Sequence, residues 1–504
     1  MLSSAEMSEA RQRIAAAYDP ELLRGAGHRL IEQLAAHLGD VQASRTAVLP
    51  WREPAANVAE AASWLERSLP AGADGTQVLR HFSQLVTLML QRGQNLHDPR
   101  YVGHQVPAPV PLAGLFDALG ATTNQCMAVY DMGPWATAAE WCLVERLGQL
   151  IGWPRSTFAG MATHGGSLAN LTALLAARNV ALGDSWEQGL SGHGRAPVLV
   201  AHADAHYSVG RSAGILGLGT AQVERVGLDA RRRMDPAQLE DTLRQLRGQQ
   251  RPIVAVVACA CSTSIGAFDP LADIADVCQR YGVWLHVDAA HGGSACVSAR
   301  YRPLVAGLER ADSVVWDAHK MLFMPALCAF VFFRDKALRF EAFRQEAPYL
   351  FDPAAPGMAE FDSGLRTVEC TKRAATFGLW GVWALYGQQL FADLVDLTFS
   401  LGHQFYERLQ AAPDFEPLHE PQCNIVVFRY VPRALAGAPP TRLGQFQLEL
   451  RRRIIESGEF YLVSTKINGI GAMRTTIINP LTTPEHLDQL LDSIRRHGAA
   501  LLGA

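Results

Sequence analysis

The sequence predicts an α/β fold whose large domain holds a mostly parallel sheet. Apolar runs of strand length recur between helical stretches, and several end in polar residues. Val283 to Val287 ends in Asp288, and Asp312 to Trp316 ends in Asp317-Ala318-His319-Lys320. Leu327 to Phe333 follows too closely for a helical crossover, so it is expected to pair antiparallel. In an open α/β sheet the carboxyl ends of the strands face the ligand crevice. Asp288 and Lys320 are therefore expected to point into one cleft.

The remaining elements fall into three parts, 1–95, 96–387 and 388–504. The first part reads as helices, with Leu30, Leu34 and Leu38 on one face and Leu79, Phe82, Val86 and Met89 on another. Pro50, Pro54 and the stretch Pro70 to Gly75 interrupt them. His97 to Pro111 is punctuated by prolines and is neither regular helix nor central strand. Trp135 to Leu150 is a helix with Leu143, Leu147 and Leu150 as its inner stripe. Leu168 to Arg178 is strongly helical and starts at His164-Gly165-Gly166-Ser167. Pro197 to Ala203 and Pro252 to Ala260 are strands, and the second ends in Cys261-Ser262-Thr263-Ser264. Asp335 to Glu360 reads as a long loop, of the kind that tends to carry function. Beyond it, Leu365 to Gly387 reads as a helix leading to a smaller part with strands at Cys423 to Tyr430 and Ala472 to Ile478.

Composition narrows the function classes. A chain of 504 residues with 49% apolar residues has ample core, and no apolar run is long enough to span a bilayer. The net charge of −4 gives no reason to expect nucleic acid. No basic region followed by an apolar core stands at the N-terminus, so no signal peptide is expected. The nine cysteines are scattered, and Cys259 and Cys261 form no metal spacing. That pattern suits a reduced, cytoplasmic protein whose thiols pack as small hydrophobes, with no metal site.

A lysine and a carboxylate at neighbouring strand ends fit one cofactor. Pyridoxal phosphate needs an amine to hold its aldehyde and a carboxylate to keep its pyridine nitrogen protonated. The bland alternative is that Asp288 caps a helix and Lys320 lies on the surface. A Gly-Gly-Ser helix start offers close backbone approach, unpaired N–H groups and, with Ser167 as N-cap, a hydroxyl to an anion. It is neither a Walker loop nor a GxGxxG turn.

The segments HVDAAHGG and DSVVWDAHK resemble the pyridoxal-phosphate-dependent group II amino-acid decarboxylases. That group includes the glutamate, cysteine-sulfinate, aromatic amino-acid and diaminobutyrate enzymes, and the match runs from about His97 to the C-terminus. The resemblance implies a fold-type-I, aspartate-aminotransferase-like architecture with a helical N-terminal segment and a small α+β C-terminal domain. It also implies a homodimer with shared active sites and decarboxylation of a small-molecule L-amino acid to an amine. Lys320 then anchors the cofactor, Asp288 meets its ring nitrogen, and His206 stacks on the ring with Ala290 on the opposite face. Gly166 and Ser167 cradle the phosphate, Ser262 and Thr263 bring hydroxyls, and His319 reaches phosphate or the departing carboxylate. Many relatives carry Asn-Pro where this chain has Asp317-Ala318. An ionised Asp317 cannot donate to phosphate, so it is expected to hold a neighbouring N–H or the lysine. Tyr101, His104, Gln105, Asn124 and Arg474 are the substrate-side candidates, Asn124 reaching across the dimer and Arg474 gripping a carboxylate. Tyr349 matches a loop tyrosine that reaches the partner's site and protonates the substrate Cα. The Asn124, Met127 and Tyr130 pattern resembles the glutamate and cysteine-sulfinate branch, which favours a non-aromatic substrate. The rivals are another outcome on the same scaffold (aldehyde formation, transamination, carbon–carbon bond formation) and a non-catalytic binding homologue. Intact Asp288, Lys320, His206 and Gly166-Ser167 argue against the second.

Overall fold

The computed structural model describes residues 1–192, 194–343 and 360–503. The chain opens with helices α1 (Ser4–Ala17), α2 (Pro20–Gln42), α3 (Pro54–Leu65) and α4 (Gly75–Arg92). Their prolines stand at the first turns of α2 and α3, where a missing N–H costs nothing. Neither α1 nor α3 buries a residue. In α4, Val86 is buried, but Met89 is exposed, not part of the inner stripe.

Two further helices, α5 (Pro111–Thr122) and α6 (Pro134–Ile151), lead into the main sheet, with the short strand β1 (Cys126–Met127) between them. The main sheet has seven strands: β2 (Ala159–Thr163), β3 (Val198–His202), β4 (Val223–Val226), β5 (Ile253–Cys259), β6 (Leu285–Asp288), β7 (Ser313–Asp317) and β8 (Ala329–Phe333). Their order is β2-β8-β7-β6-β5-β3-β4. β8 runs antiparallel to both its neighbours, as its short connection requires, and the other pairs of adjacent strands are parallel. Central strands such as β5 are continuously apolar because both faces of the sheet are covered. One face packs on helix α7 (Gly166–Leu182), whose Ala169, Ala173 and Ala177 let it lie close to Val257, Val315 and Val331. The other face buries Val256, Val314, Phe330 and Phe332 with Leu143 and Leu147 of α6.

The short helix α8 (Ser185–Gln188) precedes β3, the crossover from β3 includes α9 (Tyr207–Ile215), α10 (Pro236–Gly248) precedes β5, and β5 and β6 are linked through α11 (Leu271–Tyr281). The segment 366–376 is not helical. It contains a two-residue strand, Lys372–Arg373, paired antiparallel with β1, and the long helix starts only at Phe377. That helix, Phe377–Ala411, is interrupted at Gly387, whose φ of 67° and ψ of −169° lie outside helical space. Beyond it lies a four-stranded antiparallel sheet of Phe415–Pro417, Ile425–Tyr430, Val463–Ile467 and Ile470–Thr476. Among the described residues no helix is long and apolar enough to cross a membrane.

Lys372 is therefore buried in a strand, not placed on a helix. Its Nζ donates to Glu140 Oε1 and Oε2 at 2.6 and 2.8 Å and to the Ala162 carbonyl at 2.9 Å. The pair ties α6, β2 and the 366–376 segment together. Removing one partner of such a pair leaves a buried, unbalanced charge. Glu140→Gln is expected to cost about 3–5 kcal/mol in urea denaturation. Adding Lys372→Met should recover much of that loss, because the stranded charge is then gone. A single variant as stable as wild type would show that the pair is replaceable by water.

Candidate active site

Parallel strands deliver their last residues to one edge of the sheet, and there a cavity of about 360 Å³ opens. Each strand supplies its own group. β2 leads to Gly165, Gly166 and Ser167, β3 to His206, and β5 to Cys261 and Thr263. β6 leads to Asp288, Ala290 and His291, and β7 to Asp317, His319 and Lys320.

Lys320 Nζ lies 3.1 Å from Asp317 Oδ2, and His319 Nε2 lies 3.6 Å from the same oxygen. Burial pulls the Lys320 ammonium down, but Asp317 and Asp288 more than offset it and hold the amine above its ordinary range. Asp317 Oδ1 is buried and has no hydrogen-bond partner among the described residues. The carboxylate stands against the start of α7: a Cβ on Gly166 would fall 2.7 Å from Asp317 Oδ2, so only glycine fits. Gly165, at φ 107°, is the cap of α7, and Ser167 lies within its first turn instead of capping it. Two glycines in succession move the cap two residues earlier, because the positive φ needs the first of them.

A hydrogen-bonded chain with consistent donors runs beneath the cavity. Trp284 Nε1 donates to Ser313 Oγ at 2.9 Å, and Ser313 lies 2.8 Å from His286 Nδ1. His286 Nε2 lies 2.9 Å from Asn170 Oδ1. Asn170 Nδ2 then donates to Asp288 Oδ2 at 2.9 Å and to Ser208 Oγ at 3.0 Å. Ser208 Oγ lies 2.8 Å from His206 Nδ1, and its backbone N–H reaches the same nitrogen at 3.3 Å. An amide oxygen accepts only, so His286 carries its proton on Nε2. His206 Nδ1 is an acceptor, which places the proton of the neutral ring on Nε2. His206 is thus both the cap of α9 and a wall of the cavity. Burial lowers its pKa, which favours the neutral ring.

Sequence reasoning missed Asn170, Cys261 and His291. Asn170 is 1% exposed within the apolar helix α7. A polar residue on the buried face of such a helix was the available signal. The other candidates stand at different places relative to the cavity. Ser262 does not line the cavity: its Oγ accepts from Ala267 N–H at 3.2 Å, closing the turn after β5, while Thr263 faces the opening. His104 is exposed and tilts against the Tyr461 ring at 5.7 Å, so Gln105 faces the cavity in its place. Tyr101 is buried and stacked on Tyr461 at 5.4 Å, behind the cavity. Asn124 lies in a separate cavity with Gln125, Lys372 and Arg373, and this chain does not bring it to its own Lys320. Arg474 is 8% exposed and donates from Nη1 to the Thr263 carbonyl at 2.7 Å. Its Nε has no partner among the described residues, and burial lowers its pKa to about 10. Tyr349 lies outside the described residues.

Buried imidazoles make stability depend on pH. Burial holds His286 at about 4 and His291 at about 3. Both are neutral when folded and take a proton near pH 6.5 when unfolded. Between pH 6.5 and about 4 the unfolded chain binds more protons, so stability falls as pH falls. Each group adds a slope of up to about 1.4 kcal/mol per pH unit in that window. Urea midpoints at pH 7, 6 and 5 are expected to drop in order. Equal midpoints would mean that both rings are already charged in the fold.

The donor set suits pyridoxal phosphate. An amine, a carboxylate, a flat imidazole, a small residue and a glycine-rich helix start line one opening of adequate volume. A model of the pyridoxal-dependent decarboxylase conserved domain matches residues 62–431. The chain belongs to this family. It is 33% identical over 380 residues to acidic amino acid decarboxylase GADL1 of Mus musculus, covering 74% of this chain and 68% of that one. To the Homo sapiens protein of that name it is 32% identical over 378 residues, covering 74% and 72%. The crystal structure of mouse CSAD superposes with a TM-score of 0.84 at 29% identity, covering 95% of this chain and 98% of that one. That of Oryza sativa TDC with PLP and tryptamine gives 0.86 at 23%, covering 96% and 99%, which speaks for the fold alone. The fold is that of the fold-type-I pyridoxal-phosphate decarboxylases, and the chain is an amino-acid decarboxylase that uses this cofactor.

Proposed function

We propose that this decarboxylase acts on a non-aromatic L-amino acid with an acidic side chain and releases the amine. Arg474 carries the reading. It is a nearly buried guanidinium behind Thr263, with a free Nε, and it offers a carboxylate a partner beside the cavity. The name of the relatives, acidic amino acid decarboxylase, agrees with such a substrate.

The residue roles follow from where the groups stand. Lys320 would hold the cofactor, Asp288 would face its ring nitrogen, His206 and Ala290 would flank the ring, and Gly166 with Ser167 would meet the phosphate. When bound, the cofactor supplies an electron-accepting ring that takes up the electron pair left as carbon dioxide departs. Asp317 Oδ2, 3.1 Å from Lys320 Nζ, pairs with the ammonium and positions it. Asn170 holds Asp288 and, through Ser208, His206 in one frame. Tyr349 remains the expected proton donor to the substrate Cα.

We also read the enzyme as a cytoplasmic homodimer. Met7, Ile14, Leu23, Val58 and Leu65 on the first three helices are exposed in a single chain. A second copy would cover them and could bring its own Asn124 to this cavity.

The test is release of carbon dioxide by the purified holoenzyme from each common L-amino acid and cysteine sulfinate, with amine and aldehyde quantified. Acidic substrates are expected to lead, with amine as product. Preferred turnover of tyrosine, DOPA or tryptophan, or aldehyde as main product, would overturn the reading.

A further inference from the structure

Three buried groups stand beside the active site without a role in it. Cys261 follows β5, His291 follows β6, and Cys423 lies just before the strand Ile425–Tyr430 of the small sheet. Their relative exposures are 7%, 2% and 0%. One ligand atom of each lies within 4.8 Å of the others. The two sulfurs are 3.9 Å apart. Two thiolates bound at about 2.3 Å to one tetrahedral cation stand about 3.8 Å from each other. A disulfide would need the sulfurs to close to about 2.0 Å. As they stand, the thiols are within hydrogen-bond reach of each other, and their spacing also suits a shared cation but not a disulfide.

The histidine has a lone pair without a partner among the described residues. Asn424 Nδ2 donates to the Ile477 carbonyl at 3.2 Å, which turns Asn424 Oδ1 toward His291. His291 Nε2 meets that oxygen at 2.8 Å, so Nε2 carries the proton. Nδ1 then bears the lone pair, and it is buried without a partner among the described residues. A ligand histidine whose other N–H is held by an amide oxygen is the arrangement that orients metal-bound imidazoles. Gly266 admits the second sulfur: at φ +75° its Cβ, if present, would fall 2.6 Å from Cys423 Sγ. Cys261 and His291 also line the cavity that holds Lys320, which gives a cation a way in.

We propose that Cys261, Cys423 and His291 form a site for a thiophilic divalent cation of the zinc class, whose binding inhibits decarboxylation. On binding, each thiol gives its proton to solvent, two metal–sulfur bonds and one metal–nitrogen bond form, and a water fills the fourth position. No electron is transferred. The occupied site narrows the cavity wall beside Lys320 and ties the turn after β5 to the small sheet.

The experiment uses fully reduced holoenzyme carrying Cys126→Ser, Cys142→Ser and Cys370→Ser, so that the thiols that are not buried do not contribute. Cadmium is titrated and the ultraviolet thiolate-to-metal charge-transfer band is followed, a signal independent of turnover. One equivalent per chain is expected, with affinity falling about 100-fold or more in Cys423→Ser. Zinc is expected to inhibit the parent, while the Cys423→Ser enzyme keeps its activity and escapes inhibition. Cys261→Ser must abolish the same band, which covers the case of a Cys423 variant that does not fold. Absence of the band, or a band that survives either serine, overturns the site. A band without inhibition by zinc overturns its inhibitory role.

Discussion

Lys320→Ala is expected to abolish the borohydride-reducible bond between protein and cofactor and to lower turnover by at least about 10³-fold. The sequence contains only four lysines, so the alternatives can be followed one by one. Lys336 follows the antiparallel strand β8 and therefore lies at the opposite edge of the sheet from the cavity. Lys372 is buried in its pair with Glu140, and Lys466 sits in the small sheet. Only Lys320 lines the cavity with Asp288 and His206. Its amine is also paired with a carboxylate 3.1 Å away. Tryptic mapping of the reduced protein should place the cofactor on the peptide containing Lys320. A reduced adduct on one other lysine in the Ala variant, with turnover kept, would reassign the anchor.

Asp288→Asn is expected to lower the rate of decarboxylation by about 10²–10³-fold while cofactor stays bound, the range for removing one preorganised electrostatic group. The substitution removes the charge and one of two accepted hydrogen bonds. Asp288 accepts from Asn170 Nδ2 at Oδ2 and from Ala290 N–H at Oδ1, at 2.9 and 3.2 Å, and an asparagine oxygen can keep one of these two bonds. What it cannot do is balance a protonated ring nitrogen. Cofactor content by absorbance and rate by carbon dioxide release separate the two functions. A near-normal rate would reduce Asp288 to a structural cap.

The local chemistry of the chain was enough to place Asp288 and Lys320 in one cleft. A strand of five or six apolar residues ending in a charged group declares its own end, and parallel pairing sends those ends to one edge. The antiparallel course of β8 was legible for the same reason, since its connection is too short to cross over. Composition and spacing alone also separated the Gly-Gly-Ser helix start from a Walker loop.

Only the tertiary structure decided what each strand end actually presents. Ser262 and Thr263 are neighbours with similar side chains, yet one closes a turn and the other faces the opening. Such a choice depends on backbone torsions that neither residue type dictates. Lys372 falls in a stretch that reads as helix, but it lies in a short strand and partners more than two hundred positions away bury it. Asn170 and His291 gain their meaning from Asp288 and Asn424, each more than a hundred residues distant. Interactions of that range leave no periodicity in a sequence, because they arise where separate strands and helices meet. Cys261 and Cys423 are 162 positions apart, and only the meeting of the two sheets brings their sulfurs within 3.9 Å.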